Sequence, residues 1–339
     1  MRILVAICVA LAAAWAGYWF IGSTALKSGI TAWFDARQSE GWVADYSDLS
    51  VHGFPSRFDT TLDNLKLSDP ASGLGWEAPF FQLMTLSYTP NHVIAVWPHE
   101  QRIVTPDGAY TLASRDMRAS LVVGASTALA PKRANLTAEG LAWTPEVGGD
   151  ATSVEALRLA AERIEPAPGG SDARYHLGLA AEGVAPSTSS LALIDAEGTL
   201  LPRVIETLNA DLIVEFSAPW DRFAIEDARP QPTRVEVTRI SASWGAMSME
   251  ASGTLDVDAQ GIPVGTITIK ARNWRDMLAL ASGAGLLTPD AATMAENALG
   301  LVANASADDK TLEIPLVFES GRIWLGPLPI ADAPILRLQ

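Results

Sequence analysis

Four histidines, His52, His92, His99 and His176, are the side chains best suited by type to bind a transition metal or to move a proton near neutral pH. No two stand at the i, i+4 spacing of a helical ligand pair, and none lies beside a compact run of carboxylates, so surface or core histidines are the expected reading. Asp308-Asp309 and Glu226-Asp227 pair carboxylates as acid–base chemistry would require, but both sit in polar stretches that read as solvated turns. Gly73-Leu74-Gly75 follows Asp69-Pro70 in a polar turn, not at the strand-to-helix junction of a phosphate cradle. No Gly-x-Ser-x-Gly elbow occurs, and no nucleophile with a base is visible. The expectation is a chain that is no enzyme, with no catalytic, metal-binding or cofactor-binding residues and no cofactor; its ligand-binding residues stay unassigned.

Three further words carry unusual chemistry for their length. Trp220-Asp221-Arg222-Phe223 joins aromatic rings to opposite charges, and a local ion pair at a strand end accounts for it most simply. Gly53-Phe54-Pro55-Ser56-Arg57-Phe58 and Gly326-Pro327-Leu328-Pro329 combine glycine and proline, which enforce tight turns, with Arg57 within reach of Asp59 or Asp63.

The elements that must hold these residues begin with an apolar run. From Ile3 to Gly22 no residue is charged, and at helical rise that stretch matches the roughly 30 Å hydrocarbon core of a bilayer. Residues 1–22 therefore read as a transmembrane anchor with Ile3 and Gly22 at its ends. Trp15, Tyr18, Trp19 and Phe20 gather near its C-terminal end, where amphipathic rings favour the head-group interface. A cleaved signal peptide is the rival, with Ala12-Ala13-Ala14 or Ala14-Trp15-Ala16 as the cleavage word. The sole cysteine, Cys8, lies within the run, reads as a small hydrophobe and forms no intrachain disulfide. Leu26, Ile30, Trp33 and Arg37 then recur at helical spacing, so residues 23–41 read as an amphipathic stalk, with Trp33 and Phe34 packing on the first strands.

Residues 42–339 follow as one β-rich domain. Alternation of apolar and polar residues, interrupted by Gly, Pro, Asn and Asp, predicts many short strands in an elongated, curved antiparallel sheet. Segments such as Asp48 to His52, Ser56 to Leu67, Arg174 to Val184 and Ser248 to Val257 carry it clearly, and Val154 to Ile164 leans to strand over helix. Asn273 as an N-cap and Pro289 as a first helical residue predict a helical hairpin near 273–305, with Trp274, Met277, Leu278 and Ala281 on one face and Met294, Leu299 and Val302 loosely on another. An apolar-x-Ala-polar-Gly word recurs at 136–140, 179–183, 194–198 and 249–253, a weak sign of repeated β-units.

Composition bounds the function classes. With 339 residues, 48% apolar and only 19% charged, the chain is built to fold. A net charge of -15 repels phosphate backbones, so no nucleic-acid partner is expected; it repels anionic lipid head groups too, yet leaves an apolar groove free to take acyl chains. The balance of Arg2 against Lys27 and Arg37 is nearly even, and the short segment before the span favours a cytoplasmic start. The expected location is the bacterial inner membrane, single-pass, with the large domain in the periplasm.

GFPSRFD at Gly53 to Asp59, YTPNHVIAVWPHEQRI at Tyr88 to Ile103 and PLVFESGRIWLGPLPI at Pro315 to Ile330 resemble the alphaproteobacterial domain of unknown function 2125. That resemblance implies an architecture over nearly everything after the anchor and supplies no catalytic residues. More loosely, an anchor followed by repeated β-units is similar to the AsmA-like envelope proteins, in which long sheets form a groove for phospholipid acyl chains. The resemblance thus implies membrane lipids as partners, including bound phospholipid, in lipid handling or envelope maintenance; a scaffold that binds other envelope proteins is the alternative.

Overall fold

The computed structural model describes residues 1–165, 171–195, 198, 200–226, 229–285, 288–303 and 310–338. One long helix, α1 (Arg2–Ser39), precedes β1 (Val43–Asp45), β2 (Asp48–His52), β3 (Arg57–Asp69), β4 (Leu74–Leu86) and β5 (Thr89–Val96). Next come β6 (Glu100–Thr105), β7 (Gly108–Ala113), β8 (Asp116–Val123), β9 (Pro131–Pro145), β10 (Thr152–Arg163) and β11 (Arg174–Ala185). After α2 (Thr188–Ile194) come β12 (Ile205–Phe216), α3 (Arg222–Glu226), β13 (Pro232–Trp244), β14 (Met247–Val257) and β15 (Pro263–Arg272). The remaining elements are α4 (Trp274–Gly283), α5 (Pro289–Ala303), β16 (Thr311–Glu319), β17 (Arg322–Leu325) and β18 (Leu328–Asp332).

The protein is mainly β, as the alternation predicts, and all 18 strands join one sheet with antiparallel neighbours. The chain divides into two compact units, residues 1–123 with 137–148, and residues 124–136 with 149–339. In the first, β3 is flanked by β1, β2 and β4, and β4 pairs with β6 through one half and with β5 through the other. In the second, β10 to β18 pair in strict succession, with α4 and α5 inserted between β15 and β16. Val154 to Ile164 is indeed strand, because its leucines alternate with Arg158 and Glu162 across the pleat.

Alternation puts apolar side chains on one face of each unit, and helices cover those faces. In the first unit, Phe34 of α1 is buried against Ala44, Leu62, Leu65 and Ala78, with Ile30 beside it. Trp33, in contrast, stays half exposed, with the Arg37 guanidinium over its ring. Higher on the helix, Trp19 packs with Val51 and Phe58, and only 6% of its surface is accessible. Helix α1 runs unbroken from the apolar run into the stalk, so the same element that is apolar enough to span a membrane also covers the first strands.

The helical hairpin lies where Asn273 and Pro289 place it, but the cap chemistry differs. Asn273 does stand at the N-cap of α4, where its carbonyl accepts from the Asp276 N–H, but it is left-handed and its side-chain amide donates to the Ala246 carbonyl, tying the helix to the β13–β14 turn in place of a side-chain cap bond. Trp274 and Leu299 are buried with Ala271 and Leu312, whereas Met294 is 73% exposed and faces solvent; the Val302 side chain lies outside the described residues. Helices α2 and α3 escape sequence reading because, at seven and five residues, they are too short to show a helical period, and the serines and threonine of α2 are weak helix formers as well. Tertiary bonds hold α2: Ser187 accepts from the Ser190 N–H, and Asp150 accepts from both the N–H and hydroxyl of Thr188. The recurring glycine word falls on β9, β11 and β14, where Gly140, Gly183 and Gly253 all take positive φ; its copy at 194–198 is only partly within the described residues.

Gly253 illustrates why that position excludes a side chain. Its φ is +151°, and an added Cβ would collide with the Thr266 carbonyl on β15. Gly253→Ala is expected to lower stability by about 3 kcal/mol in urea denaturation of the solubilised chain, whereas Gly285→Ala, with φ +72° but open space around it, should lose only about 1 kcal/mol from backbone strain.

Candidate functional site

Among the described residues, the four histidines singled out for metal or acid–base chemistry are not brought together. His52 is exposed on β2, the His92 ring bonds the Ser120 hydroxyl at 2.8 Å, His99 bonds the Ser114 carbonyl at 3.1 Å, and His176 bonds Asp211 at 2.9 Å. Among the described residues no group of three or more His, Cys, Asp or Glu could hold a metal ion. His92–Ser120 is a base beside a hydroxyl that the sequence does not reveal, because β5 and β8 pair across an intervening hairpin. Among the described residues no carboxylate bonds that ring, so the third group that orients a catalytic imidazole is missing and the contact reads as a cross-strand hydrogen bond. Asp308, Asp309 and Asp227, with the Glu226 side chain, lie outside the described residues.

Two proline- and aromatic-marked words do become parts of built surfaces. Arg57 pairs with Asp59 at 2.9 Å, one of the two acids in reach, and its turn receives the aromatic residues of α1. In the second word, Asp221 accepts from the N–H groups of Phe223 and Ala224 and so starts α3, while the Arg222 guanidinium lies over the Phe223 ring.

What the structure assembles, and the sequence shows only piecemeal, is an apolar surface on the second unit. On β11, Tyr175, Leu177, Leu179 and Ala181 share one side of the strand. The register sets them against Arg163, Ala161, Leu159 and Leu157 on β10 and against Val214, Leu212, Ala210 and Leu208 on β12. The opposite side of β11 carries Arg174, His176 and Glu182. Helices α4 and α5 bury the far end of this apolar side at Ala271 and Leu312, but Leu159 and Leu179 remain 38% and 37% exposed. Large apolar residues arranged contiguously and left in contact with solvent mark a binding surface more often than chance.

At one end this surface deepens into a slot of about 300 Å³. Its walls are almost wholly carbon: Tyr175 and Leu177 from β11, Ala161 from β10, and Phe216 and Trp220 from β12 and the loop beyond it. Tyr175 and Phe216 meet edge to face with centroids 5.7 Å apart, and Phe216 meets Trp220 in the same way at 5.6 Å. The Trp220 N–H donates to the Tyr175 hydroxyl at 2.8 Å, which fixes the stack. Lys132, Arg133 and Arg163 complete the lining, presenting their alkyl stems to the slot, and the Arg163 Nε is buried without a hydrogen-bond partner among the described residues.

Two more apolar recesses exist. One, of about 340 Å³, lies between β13, β14 and α4 and is lined by Trp244, Met247, Met249, Met277 and Leu280. Another, of about 240 Å³, lies beside α1 in the first unit, among Ile30, Trp33, Leu62, Phe81 and Leu83. The larger recess over Asn209, Asp211, Arg239 and Glu250 has a polar lining, as does the one around Arg102, whose guanidinium meets Glu146 at 2.7 Å and Glu77 at 3.4 Å. Size and lining suit the three apolar recesses to parts of a hydrophobic ligand.

Burial raises the pKa of the Tyr175 phenol above its ordinary value, with the Trp220 N–H and the Arg163 charge opposing that shift. A raised folded-state value contributes stability that is complete below the ordinary phenol range and is lost as pH climbs through the folded value. The urea midpoint is expected to fall as pH rises above the ordinary phenol value of about 10, and Tyr175→Phe to flatten that part of the profile.

A search of curated proteins and a search of solved structures each return no match. A family profile does match, over residues 19–334, and it is the one described as an uncharacterized protein conserved in bacteria, domain of unknown function 2125. That span takes in both compact units and the docked half of α1, and the chain belongs to this bacterial family.

Proposed function

We propose that the protein is a single-pass membrane protein of the bacterial envelope whose β-rich part stands in the periplasm and holds the acyl portion of a membrane lipid, without catalytic turnover. Support for the anchor comes from α1, long and apolar enough to cross a bilayer, with Ile3, Leu4, Val9 and Leu11 exposed along it. The lipid reading is carried by the half-exposed apolar side of β10 to β12 together with its slot, whose largely carbon lining includes Lys132, Arg133 and Arg163. An amphiphile with a hydrocarbon tail and an anionic head matches that pairing of lining and charge, even though the chain as a whole is acidic.

A scaffold role is the second reading, favoured by β18, which pairs only with β17 among the described residues and leaves Leu328 and Ile330 exposed on an outer strand. Crosslinking in membranes separates the two, since a scaffold yields stable protein adducts and a lipid binder mainly lipid.

Gently extracted protein is expected to carry phospholipid detectable by mass spectrometry, and Leu177→Asp to cut uptake of a fluorescent anionic phospholipid by at least about tenfold. Absence of bound lipid in the unaltered chain, together with no uptake, would sink the lipid reading. The compartment is tested separately: alkaline phosphatase fused to the C-terminus should be active in cells, and a reporter that works only in the cytosol should be silent in the same place.

A further inference from the structure

The membrane-facing end of the first unit carries an inference that rests on the anchor reading and goes beyond it. Trp15, Tyr18 and Trp19 do not simply ring the helix at the head-group level. Each donates a hydrogen bond to a backbone carbonyl of the sheet's end: Trp15 to Pro55 at 2.9 Å, Tyr18 to Ser87 at 2.6 Å, and Trp19 to Arg57 at 2.7 Å. Gly22 lies so close to the Phe58 ring that a side chain there would displace it. The β2–β3 and β4–β5 turns therefore lie alongside Trp15 to Gly22, the very residues that an anchor ending at Gly22 would keep in lipid.

The lengths sharpen the conflict. Ile3 to Trp15 rises only about 20 Å, against roughly 30 Å of hydrocarbon, and Trp15 to Gly22 supplies about the missing 10 Å. Both turns must then share the depth of that last stretch. Their chemistry suits the place: Phe54 stacks on Phe20 of the helix and is 53% exposed, Tyr88 is 64% exposed, and Pro55 has no N–H to satisfy. Turn carbonyls, which water would serve elsewhere, are met here by indole and phenol donors, as a lipid surrounding demands. Beyond them the half-exposed Arg57 stands at the level of Trp19, where a cation reaches lipid phosphate.

We propose that the β2–β3 and β4–β5 turns form a tip seated in the head-group and upper acyl layer of the bilayer, with Phe54 and Tyr88 as its lipid-contacting side chains. The apolar residues of this tip are therefore a membrane-contact surface of the domain itself, separate from the helix that crosses.

The test uses the full chain with Cys8→Ser, carrying one environment-sensitive fluorophore at Phe54→Cys, Tyr88→Cys, Val9→Cys or Ser72→Cys, in vesicles of phosphatidylethanolamine and phosphatidylglycerol. Val9 reports the anchor, and Ser72 the exposed turn at the opposite end of the β3–β4 hairpin. Doxyl groups placed high on the acyl chains are expected to quench positions 54 and 88 at least about threefold more than position 72, with aqueous iodide showing the reverse order. Quenching at 54 or 88 that matches position 72, while position 9 is quenched by lipid, overturns the tip and leaves the anchor standing. Should position 9 also behave like position 72, the anchor reading falls and takes the tip with it.

Discussion

Everything in this fold follows from the two-residue period of a β-strand, which sends every apolar side chain of an alternating segment to the same side of the sheet. Such a side must be covered, and the chain covers it differently in its two units. The first unit uses α1, whose Phe34 and Trp19 bury Leu62, Leu65 and Phe58. The second uses α4 and α5 at one end only, so the leucines of β10 and β11 keep contact with solvent. Stability asks for closure, and the placement of three helices decides how much of each apolar side is closed.

Helix α1 is both long and apolar enough to cross a membrane and an integral part of the fold. A hydrophobic helix that merely anchored a domain would join it through a linker and owe nothing to its sequence beyond apolarity. Here the donors of Trp15, Tyr18 and Trp19 are spent on specific carbonyls, and Gly22 is small because Phe58 lies against it. Those contacts couple the depth of the helix to the position of the turns it touches.

The slot on the second unit shows a different economy. Its aromatic residues come from β11, from β12 and from the loop before α3, and they stack edge to face, which holds the walls apart without a polar network. The three basic residues in its lining are a local exception in an acidic chain, and among the described residues the buried Arg163 Nε has no hydrogen-bond partner.

The sequence by itself determined what depends on near neighbours: the length of the apolar run, the alternation that makes β2, β3 and β14 strands, and the hairpin opening at Asn273 and Pro289; it offered Arg57 both Asp59 and Asp63, and the structure took Asp59. Periodicity and turn residues act over a few positions, so a linear reading captures them. Tertiary structure alone decided what depends on register and on distant partners. Tyr175 meets Arg163 across β10 and β11, and Trp220 meets the Tyr175 hydroxyl from another loop. Ser120 meets His92 across a hairpin, and the Gly53–Phe58 word becomes the seat of a helix that precedes it by some tens of residues. Helices α2 and α3 belong to the same class, since helices of seven and five residues are too short to hold themselves and form where Asp150 and Asp221 accept from N–H groups of their first turns. The physical reason is one throughout: propensity is local and small, whereas burial and hydrogen-bond satisfaction are settled by whichever segment the sheet brings alongside.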